Sequence, residues 1–190
     1  VKAGARFGVI ASSDDHATLP GAAHQHRIQP FAPATLNDMP QQGLAAIRAP
    51  ELTRGALFDA MRRRNTYATT LARSLVDIQI GDATMGQGIP ADAALRSKRE
   101  LRVRATLPGA RRARVNVMRN GEPLAEQSLQ LDSDGVIGVA NAVFEDTEPL
   151  ERAALRGSRY HPEPFVVYYV RIVDDRGGHQ WTSPIWIDGE

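Results

Sequence analysis

The sequence predicts a mixed, mainly β architecture: an α/β piece over residues 1–72, followed by an antiparallel β-sandwich of the immunoglobulin or fibronectin kind over residues 73–190. Three observations predict it. The run "FGVIAS" near the start is apolar and ends in a polar cluster, as a buried strand of an α/β layer does. Between Pro50 and Tyr67 the apolar positions follow a helical period. After Thr70 the period changes to alternation and stays so, with turn signals at the spacing of about seven sandwich strands.

Taken in order, Arg6 to Ser12 is expected to be a buried strand whose C-terminal end delivers Asp14, Asp15 and His16 into a loop. From Ala17 to Gln42 the prolines at 20, 30, 33 and 40 and the lack of periodicity predict a long loop, which by its length is either functional or mobile. "GLAAIRA" (43–49) is a second short strand. In "PELTRGALFDAMRRRNTY" Thr53 is the expected N-cap, Leu52 and Leu57 stand at the two positions of a hydrophobic staple, and Leu57, Phe58 and Met61 share one face. Arg62, Arg63 and Arg64 fall in the last turn, where the helix dipole favours cations; this explains the run more simply than a phosphate-binding patch. The Leu57, Phe58, Met61 face is expected to pack on the sandwich or on a second copy, because it would otherwise leave a large apolar patch in water.

The sandwich strands follow. "LVDIQIG" alternates Val76, Ile78 and Ile80 against Asp77 and Gln79, and "ELRVRATL" alternates Leu101, Val103, Ala105 and Leu107 against Arg102, Arg104 and Thr106. "RVNVMRNGEPLAEQSLQL" is a hairpin turning at Asn120-Gly121, and "GVIGVANAVF" is a further strand. "FVVYYVRIVDDRGGHQWTSPIWI" reads as two long strands joined at Asp174 to Gly178. Tyr168 and Tyr169 fall on opposite faces of the first, and Trp181 and Trp186, differing in parity, are expected on opposite faces of the second.

Composition removes several function classes. With 190 residues the chain can bury a core without covalent staples. The absence of cysteine excludes thiolate zinc sites, disulfides and cysteine nucleophiles, so a metal would need nitrogen and oxygen ligands. A net charge of +1 argues against a nucleic-acid or membrane partner recruited by bulk electrostatics. Lys2 and Lys98 are the only lysines, leaving the positive charge to arginine, the residue suited to bidentate pairing with carboxylate or phosphate. No apolar stretch reaches the ~18 residues of a membrane span. The start "VKAGARFGVI" lacks an initiator methionine and signal-peptide features, and Val1 is read as an internal cut in a longer protein. Compartment is left open between cytoplasm, periplasm and secretion.

Chemistry is concentrated in residues 7–26, which hold three of the five histidines. Asp14 and His16, one residue apart, point the same way in an extended segment and offer two ligands to one site. His24 and His26 repeat that spacing and would complete a site if the loop folded back; as surface histidines in a proline-rich loop they need no such fold-back, and that is the simpler reading. No G-x-S-x-G elbow surrounds Ser12 and Ser13, and glycine-rich phosphate loops are absent. The tyrosines Tyr160, Tyr168 and Tyr169 with Trp181 and Trp186 offer a rival, non-catalytic reading as an aromatic platform for sugars or peptides.

"ASSDDH" with "LPGA", then "GLAAIRAPELTRGALFDAMRRRNTYATT", then "YYVRIVDDRGGHQWTSPIWI", resembles the C-terminal part of a bacterial family related to the PHP (polymerase and histidinol phosphatase) metal-dependent hydrolases, a branch of unknown function. The resemblance covers most of the chain; "TRGALFDAMRRRNTYATT" and "WTSPIWI" are its most specific pieces. It implies that residues 1–72 are the C-terminal portion of a PHP-like α/β barrel and that Asp14 and His16 are metal ligands, while it assigns no role to His24 or His26. It further implies a divalent metal ion (Zn, Mn or Fe) in the parent protein, phosphoesterase-like chemistry, and upstream ligands beginning with a His-x-His pair. Two ligands do not make a hydrolytic site, so this chain alone is expected to be inactive, with the missing N-terminal part of its own chain as partner and a homo-oligomer as a further option. Relatives tend to carry glycine where this sequence has Leu71.

Overall fold

The structure, a computed structural model, describes residues 2–12 and 43–189. It is mainly β, with two sheets, one of eight strands and one of five, stacked on a shared core. The five-stranded sheet runs β4 (Ala83–Thr84), β3 (Leu75–Ile80), β6 (Arg99–Pro108), β10 (Ile137–Asp146) and β9 (Asp132–Ser133). Its register pairs Val76 with Ala105 and Ile78 with Val103, so the alternating apolar residues of neighbouring strands all face inward.

In the eight-stranded sheet β11 (Phe165–Asp174) is central. One side of it carries β7 (Arg112–Arg119) and the edge strand β8 (Glu122–Gln130). The other side carries β12 (His179–Thr182) against Arg171–Val173 and β13 (Ile185–Asp188) against Phe165–Tyr168. Beyond β12 lie β2 (Thr66–Thr70) and β1 (Gly43–Ile47). Beyond β13 lies β5 (Gly88–Pro90) in the sheet's one parallel pairing among the described residues. Val166, Tyr168, Val170 and Ile172 of β11 meet Ile78, Leu101, Val103 and Phe144 across the core.

The α/β expectation is corrected by this topology. β1 and β2 flank helix α1 (Arg54–Arg62), yet they pair antiparallel, with Gly43 opposite Thr70 and Ile47 opposite Thr66. A barrel piece requires adjacent parallel strands joined by a right-handed crossover. The described residues contain no such unit, and β1 and β2 instead extend the sheet of β11 through β12. The turn at 71–74, which holds the expected 72/73 division, is where the chain passes from the larger sheet to the smaller. Residues 7–12 are also not a strand: Phe7 is 44% and Ile10 64% exposed, and the segment lies as a strap held by single contacts.

Helix α1 begins as its sequence dictates, with the Thr53 hydroxyl accepting from Ala56 N at 3.3 Å. The staple is not made, since Leu52 is 90% exposed. Its apolar face is not covered either: Phe58 and Met61 remain exposed, and Ala60 is the residue the helix buries. Two short helices, α2 (Ala93–Ser97) and α3 (Leu150–Ala153), close the end of the sandwich near the start of β6. The Asn120-Gly121 hairpin forms as expected, both residues having positive φ (56° and 90°).

Leu71 sits at φ 65°, the left-handed region that costs a branched side chain about 1–2 kcal/mol. The glycine expected from the resemblance would relieve that cost. Leu71→Gly is therefore predicted to raise stability by up to about 1 kcal/mol after its unfolded-state entropy is subtracted, whereas Leu71→Val should lower it. Urea unfolding of the two variants checks this; a lower midpoint for the glycine variant would contradict it.

Candidate functional site

The candidate ligands Asp14, His16, His24 and His26 lie outside the described residues, as does the whole of 13–42. What the structure does fix is where that segment departs and returns. Gly43 opens β1, and a Cβ added there would come within 2.6 Å of Ala11 Cβ and 2.7 Å of Ser12 O. Only glycine permits so close an approach. Ser12 and Gly43 thus lie side by side at the edge of the larger sheet, and Asp14 follows two residues after this anchored point.

The strap of residues 2–12 is held on the outer face of the larger sheet. Arg6 carries most of that contact. Its guanidinium pairs with Asp188 at the end of β13, lies 3.2 Å from His161 Nε2, and sits 5.7 Å from the centroid of the Trp186 ring. His161 Nε2 is in turn 3.1 Å from Asp188 Oδ1. Gly88 allows the approach, since a side chain there would run into Arg6 Nη1. Further along, Val9 N donates to Ser183 Oγ at 2.7 Å, and Ser158 Oγ donates to Ala3 O at 2.5 Å.

A second guanidinium reaches the same indole from α1. Arg64 follows the C-cap with φ 61°, donates through Nε to Gly86 O at 3.0 Å, and places its Cζ 5.5 Å from the Trp186 centroid. The run Arg62 to Arg64 is therefore not all dipole-favoured surface charge: its last member ties the helix end to the sandwich. Chemically this cluster is an anchor. Asp188 and His161 are engaged with Arg6, the Ser158 hydroxyl is bonded to backbone groups and the Ser183 hydroxyl to Val9 N and the Thr66 hydroxyl, and no group of three or more His, Asp or Glu among the described residues is arranged for a metal.

The aromatic residues divide differently from their parity. Trp181 pairs with Arg171 and Trp186 with Val167, both odd positions of β11, so the two indoles share the outer face. The parity argument fails because Ser183 and Pro184 break the strand: β12 and β13 are separate strands meeting β11 at different heights. Trp186 is buried with Phe165 and Val167, Tyr168 belongs to the inner core, and Trp181 stays half-buried, stacked on His179 at 5.5 Å between centroids. Tyr160 is exposed.

A further charged group lies inside the sandwich. Arg99 at the start of β6 and Asp146 at the end of β10 are both buried. Tyr168 donates to Asp146 Oδ2 at 2.6 Å, Arg119 Nη1 donates to both carboxylate oxygens at 2.9 and 3.1 Å, and Arg99 Nη2 lies 3.2 Å from Oδ2. Arg99 also donates to Tyr168 Oη at 3.0 Å and to the carbonyls of Leu95, Arg96 and Glu148. Burial works to raise the Asp146 pKa, but the Tyr168, Arg119 and Glu148 N–H bonds and the Arg99 charge outweigh it and hold the carboxyl below its usual range. Burial, and then the bond to Asp146, push the Tyr168 phenol far above its ordinary value, so it remains a donor. The network cross-links β6 and β10 of one sheet to β7 and β11 of the other.

Comparison with known proteins agrees on relatives and is silent on chemistry. A family model described as "Protein of unknown function (DUF3604)" matches residues 5–97. Proteins named only as uncharacterized from Chlamydia muridarum and Chlamydia pneumoniae are 28% and 29% identical over 193 and 194 residues, each alignment covering 99% of this chain. The chain spans 28% of the length of these curated relatives. Among solved structures, an engineered protein is similar over 61% of this chain and 20% of its own, with 16% identity and a TM-score of 0.31. The CooA pilin subunit of enterotoxigenic Escherichia coli is similar over 60% of this chain and 97% of its own, with 13% identity and the same TM-score. No helix among the described residues is long and apolar enough to cross a membrane. The chain is thus similar to longer bacterial proteins and, over its first half, to a family whose function is unknown.

Proposed function

We propose that this chain is the C-terminal part of a longer PHP-like metal-dependent hydrolase acting on phosphate esters. In this reading Asp14 and His16 are the last protein ligands of its metal centre, and the other ligands lie upstream. The observation that carries the reading is one of proportion. A hydrolytic site takes three or more protein ligands and an open position, this sequence offers two at a suitable spacing, and the relatives have more than twice as much additional chain in which to hold the rest. An Asp and His set without thiolate suits Zn, Mn or Fe. Such a centre, when bound, supplies a water of lowered pKa and neutralises charge on the phosphoryl group. The strap and β1 hold the base of the 13–42 segment, so the two ligands start from a rigid sheet edge. Phe7, Ile10, Leu52, Phe58 and Met61, all exposed, are the surface we assign to the upstream part of the protein, with a second copy of the chain as the other occupant.

Elemental analysis of the longer protein tests this. It should carry divalent metal in stoichiometric amount, and the 190-residue chain should carry none. The alternative, a non-catalytic β-sandwich binding module, is favoured by the half-buried Trp181 stacked on His179 on the outer face. Burial of Tyr168 and Trp186 removes two of its five aromatic candidates.

A further inference from the structure

The outer face of the five-stranded sheet takes no part in the anchor or in the candidate metal segment. Its side chains alternate with the core positions of β3, β6 and β10. Register sets them in rows across the strands: Asp77 opposite Arg104 opposite Asn141, and Gln79 opposite Arg102 opposite Val143. Directly opposed residues of an antiparallel pair are within about 5 Å at Cβ, so Asp77 is the carboxylate Arg104 would ordinarily take. It is already occupied. Arg48, just past the end of β1, reaches across from the other sheet and pairs with Asp77. Arg102 is held by Glu100, Nε to Oε1 2.8 Å. Arg104 and the Asn141 amide are left with no ion pair or hydrogen bond among the described residues.

These groups line one open cleft of about 460 Å³, with Thr84 and Gln79 at its rim. The sandwich does not need the arrangement. Arginines at 102 and 104 are same-face neighbours on one strand and repel, and any polar strand-former would serve there as well. A guanidinium with its natural partner withdrawn, beside a free amide and a paired carboxylate, instead fits a ligand that brings its own anion and its own hydroxyls.

We propose that this cleft binds an oxyanion group carried on a hydroxyl-bearing small molecule, an acidic sugar in chemical class. The anion, a uronate carboxylate or a phosphate ester, sits on Arg104 in bidentate fashion. Arg48 and Arg102 are balanced by Asp77 and Glu100, so Arg104 supplies the cleft's unpaired positive charge; the Asn141 amide and the Gln79 side-chain oxygen, whose Nε2 already donates to Gly81 O, bond the hydroxyls. The proposal rests on neither reading of the function above, since none of these residues belongs to the 13–42 segment or to the aromatic face.

The test is NMR titration of the 190-residue chain at low ionic strength with three probes: inorganic phosphate, galacturonic acid and neutral galactose. The expected result is saturable shifts of the Arg104 and Asn141 backbone amides with phosphate, galacturonic acid or both, and none with galactose. The tighter of the two anions identifies the source of the charge. Arg104→Gln should weaken that binding about tenfold or more, Arg104→Lys less, and Arg159→Gln, a remote exposed arginine, not at all. Asn141→Ala should weaken galacturonic acid more than phosphate, a split that general loss of charge or of fold does not produce. Added salt should weaken binding. Absence of shifts on this face with either anion, or equal weakening by Arg159→Gln, would overturn the proposal.

Discussion

Asp146→Ala is expected to destabilise the protein by about 3–5 kcal/mol. The reason is the company the carboxylate keeps. Arg99 has no exposed side-chain surface, and removing Asp146 leaves that guanidinium buried with only Tyr168 and main-chain carbonyls as partners. Replacing both Arg99 and Asp146 by leucine or methionine should recover only part of the loss: the uncompensated buried charge is gone, but the Tyr168 hydroxyl loses both its partners and the Leu95, Arg96 and Glu148 carbonyls lose their donor. Urea midpoints at unchanged m-value measure both.

The same group sets a pH dependence whose sign follows from the direction of its shift. The Asp146 pKa is lower in the folded protein than in the unfolded chain, where it is about 3.9. Its contribution is therefore fully present above that unfolded value and is lost as pH falls through the lower folded value. Wild-type stability should fall below about pH 4, and the difference between wild type and Asp146→Ala should shrink over the same range. A difference that stays constant to low pH would show that Asp146 is not the titrating group.

The second large effect concerns catalysis. On the hydrolase reading proposed above, His16→Ala and Asp14→Ala in the longer protein each remove a ligand from a site that needs three or more, and each should lower metal-dependent phosphoesterase activity by at least about 10²-fold. The His24→Ala/His26→Ala pair should leave activity near wild type. Thermal midpoints measured beside activity separate the loss of a ligand from a loss of fold in these variants. Activity lost in the double variant and kept in His16→Ala would move the site to the second histidine pair.

What the sequence revealed was local. Thr53 caps its helix, Asn120-Gly121 turns its hairpin, and Val76, Ile78, Leu101 and Val103 face the core because their alternation matches the pleat. Even the misfit at Leu71 was visible, as a position where a glycine is expected and a positive φ is found. What escaped was non-local. "FGVIAS" has a strand's composition, yet Phe7 and Ile10 stay exposed and the segment is held by the preceding Arg6, by Gly8 and by Val9 N. The pairing of β2 with β12 bridges more than a hundred residues, and no periodicity within either segment announces it. The Trp181 and Trp186 parity count crosses a proline that ends one strand and begins another. The buried network did leave a signal. Arg99 shares parity with Leu101 and Val103, and Asp146 with Ala142 and Phe144, so two charges stood at inward positions and required each other.

Metal content measured side by side in three samples tests the central proposal most directly: the longer protein, its His16→Ala variant, and the 190-residue chain. The expected result is stoichiometric divalent metal in the first, a clear loss in the second and none in the third. Equal metal in the longer protein and its His16→Ala variant, or a longer protein that takes up none when supplied with Zn, Mn or Fe, would contradict the hydrolase reading and leave the sandwich as a binding module.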